Sequence, residues 1–564
     1  MGFHPYLRWK TFMSWLIMMG DSMATLQANE TRPADKSQRR VLLAASLFLV
    51  VGCALQWFRL QSLTASMDQG ILMQALWNGL RGHPFQSTLS SQLSTNVIHS
   101  GELPSLGYHR LGQHFTPILA LWIPLVGLLG KWALPMLQVV LITAAGLVLH
   151  RLAKQHLKPE LAAMVSIAFY CANAVIAPCM LSNFTDLSQL PLCVFLLLLG
   201  LEQQQRWLTI AAALVVPLIR EDTGVVLMGI GLWLGLRRSG RWPLAATLIL
   251  FGGGWVALAT NFLMPMFSAD NAQRFMVENF GQYLEGRNQA SSLEVLGLVL
   301  RQPLILLGEL VSPPGNTITY LMAQGLPLIM VPFLSIDSWL LMGLPLLGLL
   351  LAQGFNNPLS INIRYTYLVV PGLFAGAVFW WRERQVLFEA RRLRRIWAGA
   401  IALSCFFTVT ANPNQSLSWM IPDSIQPWIY RNPMDQLRHG NKALDLIKRI
   451  PKSSRVAATT GLIPHLADRE VLIRFPYHNQ FQDQNGQPNF VDWVAADMHN
   501  QKLFQTFRKQ RKGLQRNLQQ LDELLNQGYG VMAFNDDVVL LQRNASGDNE
   551  AQKAFERFSK TLQH

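Results

Sequence analysis

Short constellations of ionisable and amide residues interrupt an otherwise apolar chain. Asp68 stands in Ser66-Met67-Asp68-Gln69-Gly70, and His109, Arg110 and His114 lie in the stretch from Tyr108 to Pro117. Asn183 and Asp186 fall in Ser182-Asn183-Phe184-Thr185-Asp186. Arg220, Glu221 and Asp222 are consecutive, and Arg364 precedes Tyr365 and Tyr367. Carboxylates can accept a proton from a hydroxyl or hold a divalent cation. Guanidinium groups match the geometry of phosphate. Each residue also has an ordinary structural use. Asp68 could cap a helix over 69–80, and His114 could be a satisfied interfacial histidine. Asn183 and Asp186 could be turn residues, Arg220-Glu221-Asp222 an exposed turn paired within itself, and Arg364 a head-group anchor.

The elements that must position these residues are apolar runs. Of 564 residues, 51% are hydrophobic and only 14% charged, against about 25% charge in soluble domains. Run 41–60 is long enough to cross a bilayer core of about 30 Å. About eleven such spans are expected, at 41–60, 131–150, 161–180, 187–201, 206–219, 223–236, 242–262, 317–334, 338–353, 365–381 and 395–411. The fold class is therefore mainly α: a polytopic helical membrane bundle over 41–411, in contact with the lipid bilayer. Residues 1–40 form a cytoplasmic or interfacial lead, with a start at a later methionine as an alternative. The net charge of +14 does not indicate nucleic-acid binding, because Lys and Arg sit in short clusters between apolar runs. Cys53, Cys171, Cys179, Cys193 and Cys405 lie in or beside those runs without metal-ligand spacing, as small apolar residues do.

Charge orients the bundle. With the N-terminus in the cytoplasm, the inside loops carry Arg39 and Arg40; Arg151, Lys154 and Lys158; Arg206; Arg237, Arg238 and Arg241; and the cluster from Arg382 to Arg395. That distribution satisfies the positive-inside rule. The ionisable constellations then converge on the outer ends of the helices, a placement usually reserved for cavities and function. An odd number of spans puts the C-terminal region outside, in the periplasm of a bacterium whose inner membrane holds the bundle. External loops 61–130 and 263–316 are long. Within them, 116–130 is expected to lie in the interface or re-enter, and 293–311 to form an interfacial helix, because it contains Arg301 and Glu309.

Residues 412–545 read as a soluble external α/β domain. Strands are expected at 455–459, 470–475 and 491–495, a short helix at 462–467 and a polar helix at 515–527. Segments 530–534 and 538–542 flank Asn535-Asp536-Asp537 as a hairpin. The segment 546–564 is expected to be a polar, frayed tail.

Several blocks together resemble an uncharacterised family of predicted bacterial membrane proteins. They are Asp68-Gln69-Gly70-Ile71-Leu72-Met73-Gln74-Ala75-Leu76-Trp77-Asn78, His83-Pro84-Phe85 and Gly112-Gln113-His114-Phe115-Thr116-Pro117. Asn183-Phe184-Thr185-Asp186 and Arg220-Glu221-Asp222 match its later blocks. The chain departs from the family pattern at Met67 and at Ser188-Gln189. That family is in turn similar to the GT-C glycosyltransferases, multi-spanning enzymes that use lipid-phosphate-linked sugars and carry an acidic residue in the first external loop. Asp68 sits where that residue belongs, without the second acidic residue common there in GT-C enzymes.

The resemblance implies a lipid-phosphate-linked sugar donor and an envelope acceptor. Asp68, with Glu221 and Asp222, would form the catalytic set, and the same three would hold a divalent cation, Mg or Mn. His114, Arg220, Arg364, Asn183 and Asp186 would bind substrate or phosphate. Two other functions use the same features: a transporter or flippase for lipid-linked or polar solutes, and a non-catalytic envelope scaffold. The absence of an evident internal repeat weighs against the transporter.

Overall fold

The first apolar run forms, with its flanks, the helix Lys36–Gln61. Its polar end is used for packing. Gln56 donates from Nε2 to the carbonyls of Cys179 and Ser182, at 2.7 and 3.0 Å, and Arg59 Nη1 donates to Leu181 O at 2.8 Å. These bonds fasten the helix to the end of Asn173–Met180. The computed structural model describes residues 36–95, 101–270, 276–284, 286, 290–352 and 359–563; most of the expected N-terminal lead lies outside them.

The expected crossings fall wholly or largely on helical backbone, but most are shorter than the ~20 residues a straight span needs. By length and composition, four helices of the described residues could cross a membrane: Lys36–Gln61, the composite Pro117–Lys154, Trp242–Leu263 and Arg391–Ala411. A fifth is Pro159–Tyr170 with Asn173–Met180, bent by 44°. Arg206–Ile219 and Ile336–Leu351 are shorter apolar helices. Length thus supports fewer crossings than the hydropathy pattern. Proline is one reason the runs break, since it removes a backbone donor. Pro178 leaves the carbonyl of Ala174 unpaired within its helix, and Thr366 Oγ1 donates to that oxygen at 3.0 Å. Stretch 293–311 also breaks at a proline, into Ser292–Arg301 and Pro303–Glu309.

The basic loops meet at one end of the bundle. His156 and Arg238 both contact Glu202, at 3.1 and 2.6 Å, and Lys158 pairs with Glu389 at 2.8 Å.

At the other end sits a five-stranded sheet. Its strands are β1 (Val456–Ala458), β2 (Leu472–Arg474), β3 (Trp493–Asp497), β4 (Tyr529–Asn535) and β5 (Val538–Arg543), in the order β2-β1-β3-β5-β4. β1 is parallel to β2 and β3; β5 runs antiparallel to β3 and β4. Every strand anticipated from sequence is present. The turn after Asn535 has φ of 51° at Asp536 and 67° at Asp537, the left-handed pair a tight hairpin requires.

Side-chain alternation divides the sheet between two cores. Val456, Ala458, Leu472, Ala495 and Leu540 pack with Met67, Ile71 and Leu89, which follow the first helix. Ala457, Ile473, Val494 and Leu541 pack with Leu514, Leu518 and Leu521 of the helix Arg508–Asn526. They also meet Phe555 and Phe558 of the helix Asn549–Gln563. The segment expected to fray is thus helical, because Ala551, Phe555, Phe558 and Leu562 recur at helical spacing and cover the sheet.

The sheet and bundle share one core rather than a flexible joint. Helix Thr88–Thr95 lies along edge strand β2 and pairs it through side chains. Thr88 Oγ1 donates to Leu472 O at 2.6 Å, and Gln92 Nε2 donates to Arg474 O at 2.8 Å. Gln92 Oε1 accepts from Arg474 N at 2.5 Å. Residues four apart on a helix share a face, so these two reach neighbouring exposed groups of an edge that would otherwise be open.

Candidate functional site

Helix Met67–Gly79 begins one turn after the first bundle helix. Ser66 is its N-cap, without a side-chain cap bond. Asp68 occupies the second helical position and is exposed. The capping alternative for Asp68 is therefore not realised; its carboxylate faces a cavity instead. Main-chain contacts hold this helix start. Met67 N donates to Thr460 Oγ1 at 3.0 Å, and Ser66 N to Asn183 Oδ1 at 3.1 Å. Asn183 returns a bond from Nδ2 to Ser66 Oγ at 2.7 Å. Asn183 thus positions the Asp68 helix and does not line the cavity, contrary to the binding role expected of it.

The cavity measures about 130 Å³ and brings together Asp68, Arg110, His114, Asp186, Arg220 and Arg364. Three elements converge there. Asp186 opens the short helix Asp186–Gln189, and its Oδ1 accepts from Thr185 Oγ1 and Leu187 N at 2.9 and 3.0 Å. Arg220 ends the helix Arg206–Ile219, and Arg364 precedes Thr366–Arg382. The Tyr365 ring serves both guanidiniums, with Arg220 Cζ 5.2 Å and Arg364 Cζ 5.1 Å from its centroid. Such cation–π contacts favour desolvated arginine.

The three consecutive residues Arg220, Glu221 and Asp222 separate. Arg220 is 1% exposed and faces the cavity. Asp222 pairs with it through both oxygens, Arg220 Nε lying 2.8 Å from Oδ1. Asp222 itself lines a different, more apolar cavity with Phe280 and Leu349. Glu221 is buried beneath the site. Its Oε1 lies 2.9 Å from His114 Nδ1, and its Oε2 accepts from Phe115 N at 2.9 Å. Burial disfavours the charged form of both partners. It raises the Glu221 carboxyl to about 7, Arg220 opposing. It lowers the His114 imidazole, an effect that Arg110 and Arg220 reinforce.

The expected catalytic and metal set of Asp68, Glu221 and Asp222 is therefore not assembled as a unit. Among the described residues, no group of three or more His, Cys, Asp or Glu side chains could hold a metal ion. The residues present do not fit a resident Mg or Mn, because the carboxylates are dispersed among arginines and one histidine. The arrangement fits an anionic ligand group held by guanidiniums, with the exposed Asp68 carboxylate beside it.

Of the residues singled out in sequence, Asp68, His114, Asp186, Arg220 and Arg364 line this cavity, whereas Asn183, Glu221 and Asp222 do not. Arg110, quoted in sequence but given no role, lines it at 8% exposure. Glu278 and Asn279 also line it and were missed. They lie far along the chain in the short helix Val277–Phe280, where no local pattern singles them out. His109 instead stacks on Phe267 at 4.5 Å.

No curated protein matches the chain in sequence. A family model described as "Predicted membrane protein (DUF2079)" matches residues 59–540, which include the site and most of the bundle and sheet, and the chain belongs to that family.

Proposed function

We propose that this protein is a GT-C-like membrane glycosyltransferase that moves a sugar from a lipid-phosphate-linked donor to an envelope acceptor. The reaction takes place at the outer face of the bacterial inner membrane. The observation that carries this reading is the exposed Asp68 carboxylate in one cavity with Arg110, Arg220 and Arg364. Asp68 takes the proton of the acceptor hydroxyl as that oxygen bonds to the anomeric carbon. The bond from that carbon to the phosphate oxygen breaks, and the lipid phosphate leaves with the electron pair. Arg220 and Arg364 stabilise its charge, which a preorganised donor set does most effectively.

The basic loops at the opposite end of the bundle support the orientation, with a cytoplasmic N-terminus and an external sheet. About eleven crossings, several of them short or broken, remain our topology. A donor whose lipid stays in the bilayer reaches the cavity sideways between apolar helices.

The test uses the full chain in proteoliposomes. Polyprenyl-phosphate-linked radiolabelled hexose is supplied with an envelope fraction as acceptor. Wild-type protein should move label out of the lipid fraction, and Asp68→Asn should not. Equal label transfer by the two proteins, or none with either, would refute the proposal.

A further inference from the structure

The external sheet carries a second cleft, whose lining shares no residue with the Asp68 cavity. After β1 the chain crosses to β2 on one side, while β3 lies on the other. The connections leaving β1 and β3 therefore diverge. In open α/β sheets such a switch point leaves a crevice outside the carboxyl ends of the strands, where ligands bind. A cleft of about 310 Å³ occupies that place here. Thr459 and Thr460 follow β1, and Asn500 and Gln501 follow β3. The floor is tied together: Asp497 N donates to Thr459 Oγ1 at 2.9 Å, and Thr459 N to Ala495 O at 3.0 Å.

Two independent features describe what would fill it. Asn517 lines the cleft at 1% exposure. Its Nδ2 donates to Gln501 Oε1 at 2.6 Å, whereas its Oδ1 has no hydrogen-bond partner. A buried acceptor without a donor is costly, and a ligand hydroxyl supplies one. Around it, the side chains of Asn500, Gln501 and Gln510 offer both donors and acceptors, as a ring bearing several hydroxyls requires.

The second feature is charge. Arg474 and Arg516 converge on the Tyr477 ring, with Cζ 4.6 and 5.9 Å from its centroid. Among the described residues, neither has a carboxylate within ion-pair distance. The acidic residue of the cleft, Asp497, is engaged by His439 Nε2 at 3.2 Å and His499 N at 2.9 Å. The uncompensated charge is positive, and paired guanidiniums favour a carboxylate.

We propose that this cleft binds an acidic saccharide, a hydroxylated ring bearing a carboxylate. The carboxylate lies against Arg474 and Arg516, and a ring hydroxyl donates to Asn517. The site is independent of any transfer reaction at Asp68.

Saturation-transfer NMR on the detergent-solubilised full chain tests this, with glucuronic acid as probe, and glucose and inorganic phosphate as comparators. Glucuronic acid should receive saturation, and Arg516→Gln should weaken its binding about 10-fold or more, the scale of a charged hydrogen bond. Arg516 is exposed, so its variant should fold; an unchanged melting temperature checks this. Asp68→Asn should leave the signal intact. Equal signal from glucose would overturn the charge assignment. Displacement of the probe by an equal concentration of phosphate would show an anion site only and overturn the saccharide. An Arg516→Gln signal equal to wild type would do the same.

Discussion

His114 Nδ1 lies 2.9 Å from Glu221 Oε1, while the other oxygen of that carboxylate accepts the Phe115 amide. One buried side chain thereby fixes both the His114 ring and the Phe115 backbone at the cavity wall. Glu221→Ala removes both acceptors and should cost about 1–3 kcal/mol, the penalty for buried groups left unpaired. Glu221→Gln keeps one acceptor and should cost less. Thermal unfolding in detergent ranks the two; a larger loss for Gln than for Ala would contradict the positioning role.

Asp68 stands at the second position of its helix, outside the cap. Asp68→Ala should therefore lose only a helix-dipole contribution of about 0.3–1 kcal/mol, and Asp68→Asn should lose a similar amount. Under the proposed reaction, both should reduce transfer by about 100- to 10,000-fold. The diagnostic is the split between stability and turnover: proportional losses of both would make Asp68 a structural residue.

His439 supplies a pH dependence in the C-terminal α/β region. Burial works against its charged form, but hydrogen bonds to Asp497 at 3.2 Å and Asp536 at 3.0 Å outweigh it and push the imidazole up to about 9. The unfolded value is about 6.5. Because the folded value is the higher one, the stabilisation is complete below about pH 6.5 and is lost as pH rises through about 9, at most about 3 kcal/mol. Melting temperatures from pH 6 to 10 should fall across that window. In His439→Gln the decline should flatten; an unchanged slope would assign the dependence elsewhere.

Gly440 marks where the C-terminal α/β region rests on the bundle. A methyl group there would overlap the carbonyl oxygen of Gln61, at the end of the first helix. Backbone cannot yield as a flexible side chain can, so Gly440→Ala should cost about 1–3 kcal/mol or more. Gly254, in Trp242–Leu258, has open space at the same position. Gly254→Ala should be neutral or stabilising by up to about 1 kcal/mol. Equal melting temperatures for the two variants would mean the domain is not docked as described.

Much of the fold was legible locally. Apolar runs declared the helices, and basic clusters declared which loops share an end. Alternation and the Asp536-Asp537 turn declared the strands, since these depend on a period of two and on local φ preference. The terminal helix was not read: the polar composition of 546–564 suggested a frayed tail, although Ala551, Phe555, Phe558 and Leu562 recur at helical spacing. Span lengths were less legible, because Pro178 and the break at Cys171-Ala172 shorten a run that hydropathy averages over.

Residue type and position between apolar runs, which the sequence determined by itself, collected Asp68, His114, Asn183, Asp186, Arg220, Glu221, Asp222 and Arg364 as candidates. Only the tertiary structure divided Arg220, Glu221 and Asp222 among the cavity, the His114 support and a neighbouring apolar cavity. Glu221–Thr223 is a 3₁₀ turn, in which successive side chains point about 120° apart. Glu221 and Asp222 therefore point apart, while Arg220 precedes the turn in extended backbone and pairs with Asp222; which environment each meets depends on helices and loops distant in sequence. For the same reason Asn183, adjacent in sequence to the cavity wall at Phe184, became the support of the Asp68 helix.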